Sequence, residues 1–257
     1  MAGRLFIFGL GYAGTRIAAL ARAQGWDVLA TGSDGDFAFG DTGGVCGALS
    51  AVTHVLSSIP PADGKDPVLM RYGETLEGKW LGYLSSTGVY GDRGGAWVDE
   101  ATPVGGARKE ARLKADQAWL ARGARVFRLA GIYGPGRSPI DRVRAGKAHR
   151  IDMPGQVFSR VHVGDIASAV VAGLDAPAGA YNICDDEPAA QRAVIKEASR
   201  LAGVAPPPLQ TIDEAGLGDM ARSFYAQNRR VANRKAKRVL GWEPLYPTFR
   251  EGLRSLV

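Results

Sequence analysis

Leu5–Phe8 is an unbroken apolar run that stops at Gly9, the pattern of a strand buried on both faces in a parallel sheet. Over 12–24 the period changes. Ile17, Leu20 and Ala21 fall at i, i+3 and i+4, which predicts a helix, and Gly25 stands just past its end. WDVLAT (26–31) returns to strand. Strand, helix and strand in this space make a βαβ unit, which implies a parallel pair with a right-handed crossover. The alternation then repeats, with strands over 53–58, 80–86, 124–130 and 180–184 and helices over 67–78, 105–122 and 164–177. Asp165 is the expected N-cap of the last helix and Pro177 its stop. Such repetition predicts an α/β fold, a doubly wound parallel sheet of the Rossmann kind.

Two stretches break the rhythm. Residues 134–160 are rich in Gly, Pro and charge, with a short helix expected near 138–146. After 184 come a helix over 188–202, the proline stretch APPP (205–208) and a basic helix near 232–240. These pieces offer no strand partners of their own. The expected organisation is a dinucleotide-binding domain made of 1–133 plus 161–184. A small C-terminal substrate lobe, 134–160 plus 185–257, sits over the carboxyl edge of the sheet.

Composition changes this picture little. The 257 residues are 46% apolar and 23% charged, ordinary values for a globular protein. No apolar run reaches the length of a membrane span, and the chain enters a strand at once without a signal core. A cytoplasmic protein without a membrane partner is expected. Cys46 and Cys184 stand outside any CxxC spacing, and His54, His149 and His162 are scattered, so no metal site is expected. The formal charge is +6, and NRRVANRKAKR (228–238) carries six Lys or Arg among its last ten residues. No nucleic-acid recognition motif accompanies the run, so it reads as a solvated helix face or a surface near an anionic small-molecule substrate. A monomer or homodimer is expected.

The chemistry starts at GLGYAG, where Gly9, Gly11 and Gly14 match G-x-G-x-x-G between a strand and a helix. The first glycine permits the tight turn, the second lets the backbone approach a pyrophosphate, and the third lets the helix pack close to the sheet. Tyr12 and Ala13 fill the turn between them, at a helix N-terminus that favours anions. The second strand ends in Thr31, Gly32 and Ser33 rather than in an acid that would bond a ribose 2′-OH. Ser33 can accept a 2′-phosphate, with Asp34 one residue beyond, so NADP is favoured over NAD. Asp41, ahead of the third strand, is either an adenine contact or a surface turn.

At this point the chain resembles the extended short-chain dehydrogenase/reductase family, which holds nucleotide-sugar epimerases and dehydratases. GLGYAGTRIA resembles its cofactor turn, SSTGVYGD (85–92) its fourth-strand motif, RLAGIYGPGR (128–137) its fifth-strand exit and VHVGDIASAV (161–170) its next helix entry. YNICDDEP (181–188) and KAKRVLGWEP (235–244) resemble its closing elements. The resemblance implies that Ser57, Ser58, Pro60 and Ser85 lie along the cofactor and that Ser86 hydrogen-bonds the reacting oxygen. A hydroxyl capping the strand end is the plainer role for Ser86. The family's Tyr-x-x-x-Lys pair should follow on the helix over 105–122. Aligned on Asp116, those positions are Arg108 and Arg112, and no tyrosine stands between Tyr90 and Tyr133.

Arginine stays protonated, so it can hold an anion or stabilise an oxyanion but cannot exchange the proton. Tyr133 is a candidate replacement acid or a packing residue, and Arg137 and Arg230 are candidate anion contacts. The resemblance thus implies an NAD(P)-dependent oxidoreductase or epimerase/dehydratase-like enzyme with an altered acid/base. Its substrate would be phosphorylated or nucleotide-linked and sugar-like. A non-catalytic NAD(P)-binding sensor is the alternative; a nucleic-acid-binding protein is the weaker third.

Overall fold

The computed structural model of the chain describes residues 3–107 and 110–257. In chain order the strands are β1 (Arg4–Phe8), β2 (Asp27–Thr31), β3 (His54–Ser57), β4 (Trp80–Ser86), β5 (Trp97–Val98), β6 (Arg125–Leu129), β7 (Gly131–Tyr133), β8 (Arg150–Ile151), β9 (Arg160–His162), β10 (Gly179–Ile183), β11 (Leu209–Gln210) and β12 (Arg230–Val231). The helices are α1 (Tyr12–Ala23), α2 (Thr42–Ser50), α3 (Pro67–Tyr72), α4 (Glu110–Ala121), α5 (Pro139–Arg144), α6 (Val163–Ala172), α7 (Gln191–Ala202), α8 (Asp219–Tyr225), α9 (Arg234–Leu240) and α10 (Phe249–Arg254).

Six strands form one sheet in the order β10-β6-β4-β3-β1-β2, every pair parallel. The fold is α/β and doubly wound. Alternate side chains of each strand serve opposite layers. Leu5 and Ile7 pack with Ile17 and Ala21 of α1 and Ile166 and Val170 of α6. Phe6 and Phe8 pack with Val45 and Leu49 of α2, Tyr72 of α3 and Trp119 of α4. A separate apolar cluster joins α5, α7 and α10 through Ile140, Val194, Ile195 and Phe249. The chain winds away from β1 in one direction through β2 and in the other through β3. The carboxyl ends of β1 and β3 therefore form a switch point, where such sheets bind ligands.

Several elements differ from the sequence reading. Helix α2 was not anticipated, because TGGVCGALS is glycine-rich and carries no clear 3.6 period; Asp41 accepts from Gly44 N and starts it. Asp41 is thus a helix cap rather than the entry to β3. Helix α6 is capped by His162, whose Nδ1 accepts from Gly164 N at 3.1 Å, not by Asp165. Asp165 is buried and accepts from Leu245 N and Tyr246 N at 2.7 and 3.3 Å, clasping the chain's closing loop. The irregular stretches do find strand partners, in three two-stranded pairs: β7 with β9, β8 with β11 and β12 with β5. Among the described residues no helix is long and apolar enough to cross a membrane.

One buried polar chain runs through the sheet. Asp116 of α4 takes Arg128 of β6 in a two-point contact, Nη2 to Oδ1 at 2.8 Å and Nε to Oδ2 at 3.1 Å. The two side chains are 0% and 4% exposed. Ser85 Oγ of β4 donates to the same carboxylate at 2.6 Å. Arg128 continues to the Tyr90 hydroxyl (3.0 Å), which donates to Asn182 Oδ1 on β10 (2.8 Å). Removing one partner of such a pair leaves an uncompensated buried charge. Asp116→Ala is expected to cost about 3–5 kcal/mol and to lower the melting temperature by about 10 °C. Lys114→Ala, which breaks only the exposed pair with Glu110, is expected to change stability by less than about 0.5 kcal/mol. Parallel thermal melts check both.

Candidate active site

The turn after β1 is fastened on every side. Gly9 N lies 3.1 Å from Thr31 Oγ1 and 3.2 Å from Thr31 O, and Leu10 N donates to Thr31 O at 2.9 Å. Ser58 Oγ donates to Gly9 O at 2.5 Å, so the ends of β1, β2 and β3 meet there. Gly9 has φ +94°, which a side chain would strain. A Cβ on Gly14 would sit 2.2 Å from Gly9 O, so α1 approaches the turn only because residue 14 is glycine. Gly11 is different. Its φ is −80°, and a Cβ there would meet nothing within 4 Å. No contact within the chain calls for glycine at this position, and the space before it is where a diphosphate would lie. Helix α1 starts at Gly11 without a side-chain cap, leaving its first N–H groups for an anion.

Tyr12 and Ala13 open α1, both half-buried. The Tyr12 hydroxyl donates to Pro135 O at 3.0 Å, and its ring lies between Arg16 and Arg137, 4.8 and 4.4 Å from their guanidinium carbons. Arg137 thus reaches the phosphate turn from the far side of the crevice. Arg230 does not; it donates to Gly95 O on the β5 side. Ser33 and Asp34 are exposed beyond β2, and Asp36, two residues further, accepts from Ala30 N at 2.9 Å. Pro60 is exposed beside the half-buried Ser58. Ser57 is wholly buried and its hydroxyl has no partner, so it does not face a cofactor.

Ser86 ends β4, with its Oγ accepting from Gly88 N at 3.1 Å. It caps the following turn, yet its own hydrogen stays available to donate. It lines a cleft of about 590 Å³ together with Thr87, Ala130, Ile132 and Arg137. The opposite wall comes from the irregular stretches: Arg142, His149, Phe158, Arg160, Tyr225 and Arg229. None of these six was singled out from the sequence as a cleft residue, because they lie in loops or in short elements without apolar period. Ser85, one residue earlier, points to Asp116 on the other face of the sheet and not to a cofactor. Arg112 is likewise turned inward: its Nη1 donates to the Tyr83 hydroxyl (3.0 Å) and Leu84 O (3.2 Å), and it does not line the cleft. Arg108 lies outside the described residues.

Tyr133 touches the cleft with its ring, but its hydroxyl is buried without a hydrogen-bond partner and packs so tightly on Gly252 that a Cβ there would overlap it. Burial raises its pKa strongly, with nearby Asp185 adding to the shift. That is a packing position, not that of an acid. Burial likewise lowers His162 to about 4 and raises Asp185, both of whose oxygens are unpartnered, to about 8.

No protein-family model matches the chain. It is similar to a functionally unknown conserved protein from Silicibacter pomeroyi DSS, at 41% identity and a TM-score of 0.87, covering 99% of this chain and 98% of that one. It also resembles human epimerase family protein SDR39U1 (isoform 2) with NADPH, at 17% identity and a TM-score of 0.78, covering 98% of each; that likeness is one of fold. Among curated proteins it is 33% identical to protein YeeZ of Escherichia coli (strain K12) over 172 residues, 64% of this chain and 58% of that protein. It is 34% identical over 139 residues to a 3-diazoavenalumate denitrifying reductase of Streptomyces sp, 50% of this chain and 45% of that protein. The matches thus span about half the length of these curated relatives.

The glycine geometry separates binding from folding. Gly14→Ala is expected to destabilise the fold outright, whereas Gly11→Ala should melt like the parent and yet lose nicotinamide dinucleotide binding at least tenfold; melts with and without NADPH read both. Asp185 gives a pH test. A carboxyl whose folded pKa stands above its unfolded value keeps its proton longer in the fold, so stability falls as pH rises from about 4 towards about 8. Asp185→Asn should therefore raise the melting temperature at pH 9 and change it little at pH 5.

Proposed function

We propose that this chain, whose fold is that of the epimerase-family neighbour, is an NADP-dependent oxidoreductase of the extended short-chain dehydrogenase/reductase-like family that acts on an anionic small molecule in the cleft beside Ser86. The observation that carries this reading is the Gly11 position, bare toward open space at an uncapped helix start. Gly9, Gly11, Tyr12, Ala13 and Gly14 would hold the pyrophosphate, with Arg137 closing over Tyr12. The exposed Ser33 and the engagement of Asp36 by the Ala30 amide support NADP over NAD. Bound there, the cofactor would exchange a hydride with a substrate carbon.

The chain's own contribution is orientation and the proton. Ser86, held by Gly88 N, donates its hydrogen to the substrate oxygen. Arg112 is fixed to Tyr83 and Leu84 and does not line the cleft. The proton then comes from a side chain of the opposite wall, where His149 and Tyr225 line the cleft. Burial raises the Tyr225 pKa, and Arg142 and Arg160 oppose that rise. The four cleft arginines support an anionic substrate, and phosphorylated or nucleotide-linked sugars are the class that the family resemblance brings with it. The Streptomyces relative's name makes reduction the first reaction to test.

Calorimetric titration is expected to give micromolar affinity for NADPH and weaker binding of NADH, followed by NADPH oxidation at 340 nm with a carbonyl substrate. Ser86→Ala should lower kcat about a hundredfold and leave NADPH affinity unchanged. Indifference to both nucleotides at millimolar levels removes the reading. Tight binding with no oxidation across a broad substrate screen leaves a nicotinamide sensor.

A further inference from the structure

The cleft's lining is chemically one-sided. It contains Arg137, Arg142, Arg160 and Arg229 and no Asp or Glu among the described residues. The four cations are not equivalent. Arg137 is stacked on Tyr12 at the phosphate turn, which assigns it to the cofactor side. Arg229 Nη1 is held by Gly91 O at 2.8 Å and Gln227 Oε1 at 3.0 Å. Arg142 lies at the exposed rim.

Arg160 is the anchored one. Its Nη1 donates to Phe158 O at 2.8 Å and Ala189 O at 2.9 Å, which fixes the plane of the guanidinium. Its Nε–Nη2 edge makes no hydrogen bond within the described chain, and no carboxylate comes within ion-pair distance of it. Burial holds its pKa down, to about 10, and the nearby Asp185, itself pushed up by burial, opposes that shift without reaching hydrogen-bond distance of the guanidinium. A guanidinium fixed on one side and open along two parallel N–H bonds matches a carboxylate in a two-point contact.

Around that edge the wall is apolar and aromatic. Phe158 and Tyr225 meet edge to face with centroids 5.5 Å apart. Phe224, Ile132 and Leu217 extend the surface, and Phe224 and Ile132 remain 52% and 37% exposed. A sugar's hydroxyls would meet only neutral acceptors among the described lining residues, such as Gln191 and Gln227, and no carboxylate. A flat apolar body satisfies such walls and loses little to desolvation.

We propose that the cleft takes a planar, largely apolar acid, an aromatic or conjugated body ending in one carboxylate that docks on Arg160. This rests on the reading of the cleft as the reaction site and narrows its substrate away from sugar nucleotides.

The test is calorimetry on the full chain, with and without saturating NADP+, using 4-hydroxycinnamate, its methyl ester, phenyl phosphate and UDP-glucose. The acid is expected to bind at least tenfold more tightly than the ester and more tightly than UDP-glucose. Arg160→Gln should remove that preference while NADP+ affinity stays at the parent value. Equal binding of acid and ester, absence of acid binding, or a preference for phenyl phosphate or UDP-glucose overturns the proposal. The ester comparison uses the parent protein, so it stands even if the variant fails to fold. Failure to bind NADP+ strikes the nicotinamide reading instead, and the titration without nucleotide still decides the substrate class.

Discussion

The contact between Asp116 and Arg128 decides which serine of β4 faces the cleft. Successive strand residues face opposite sides of a sheet. With Ser85 drawn to the Asp116 carboxylate at 2.6 Å, Ser86 has only the cleft side to occupy. A slip of one residue would exchange the two serines and place the Ser86 hydroxyl against a buried ion pair. The same carboxylate ties α4 to β4 and β6, and through Arg128 and Tyr90 the tie extends to Asn182 on β10. Burial of such a pair contributes little net stability. Its weight here lies in register.

That contact also explains what became of the helix that should carry a tyrosine and a lysine. Asp116, which served only as a ruler for aligning the missing pair, proves to be the structural centre of α4. Arg112, one turn earlier, adds a second inward tie through Tyr83, whose hydroxyl is pushed up to about 12 by burial. The described part of α4 therefore holds the sheet together and contributes no residue to the lining of the cleft. The solved neighbour from Silicibacter pomeroyi shares the architecture along nearly its whole length.

The sequence revealed most where local rules are strict. Leu5–Phe8 could only be a buried strand, and each glycine of the turn has a separate physical reason that the backbone bears out: positive φ at Gly9, open space at Gly11, contact at Gly14. It revealed less where tertiary partners decide. Nothing local distinguishes Ser85 from Ser86 as the cleft residue, since each is a serine at a strand end. Nor could the pattern show that Tyr133 turns its hydroxyl to Gly252, or that His162 rather than Asp165 caps α6. The wall residues Arg160 and Tyr225 were hidden because a three-residue strand and a two-turn helix carry too little period to read.

The bond from the Tyr12 hydroxyl to Pro135 O spans 123 residues of chain. It joins the first residue of α1 to the loop leaving β7, with the rings and guanidinium groups of Tyr12, Arg16 and Arg137 layered around it. Mechanically this is the spine of a book. The two covers are clasped at the edge where a nucleotide's phosphates would rest, by the Tyr12 hydroxyl and two guanidinium groups layered on its ring.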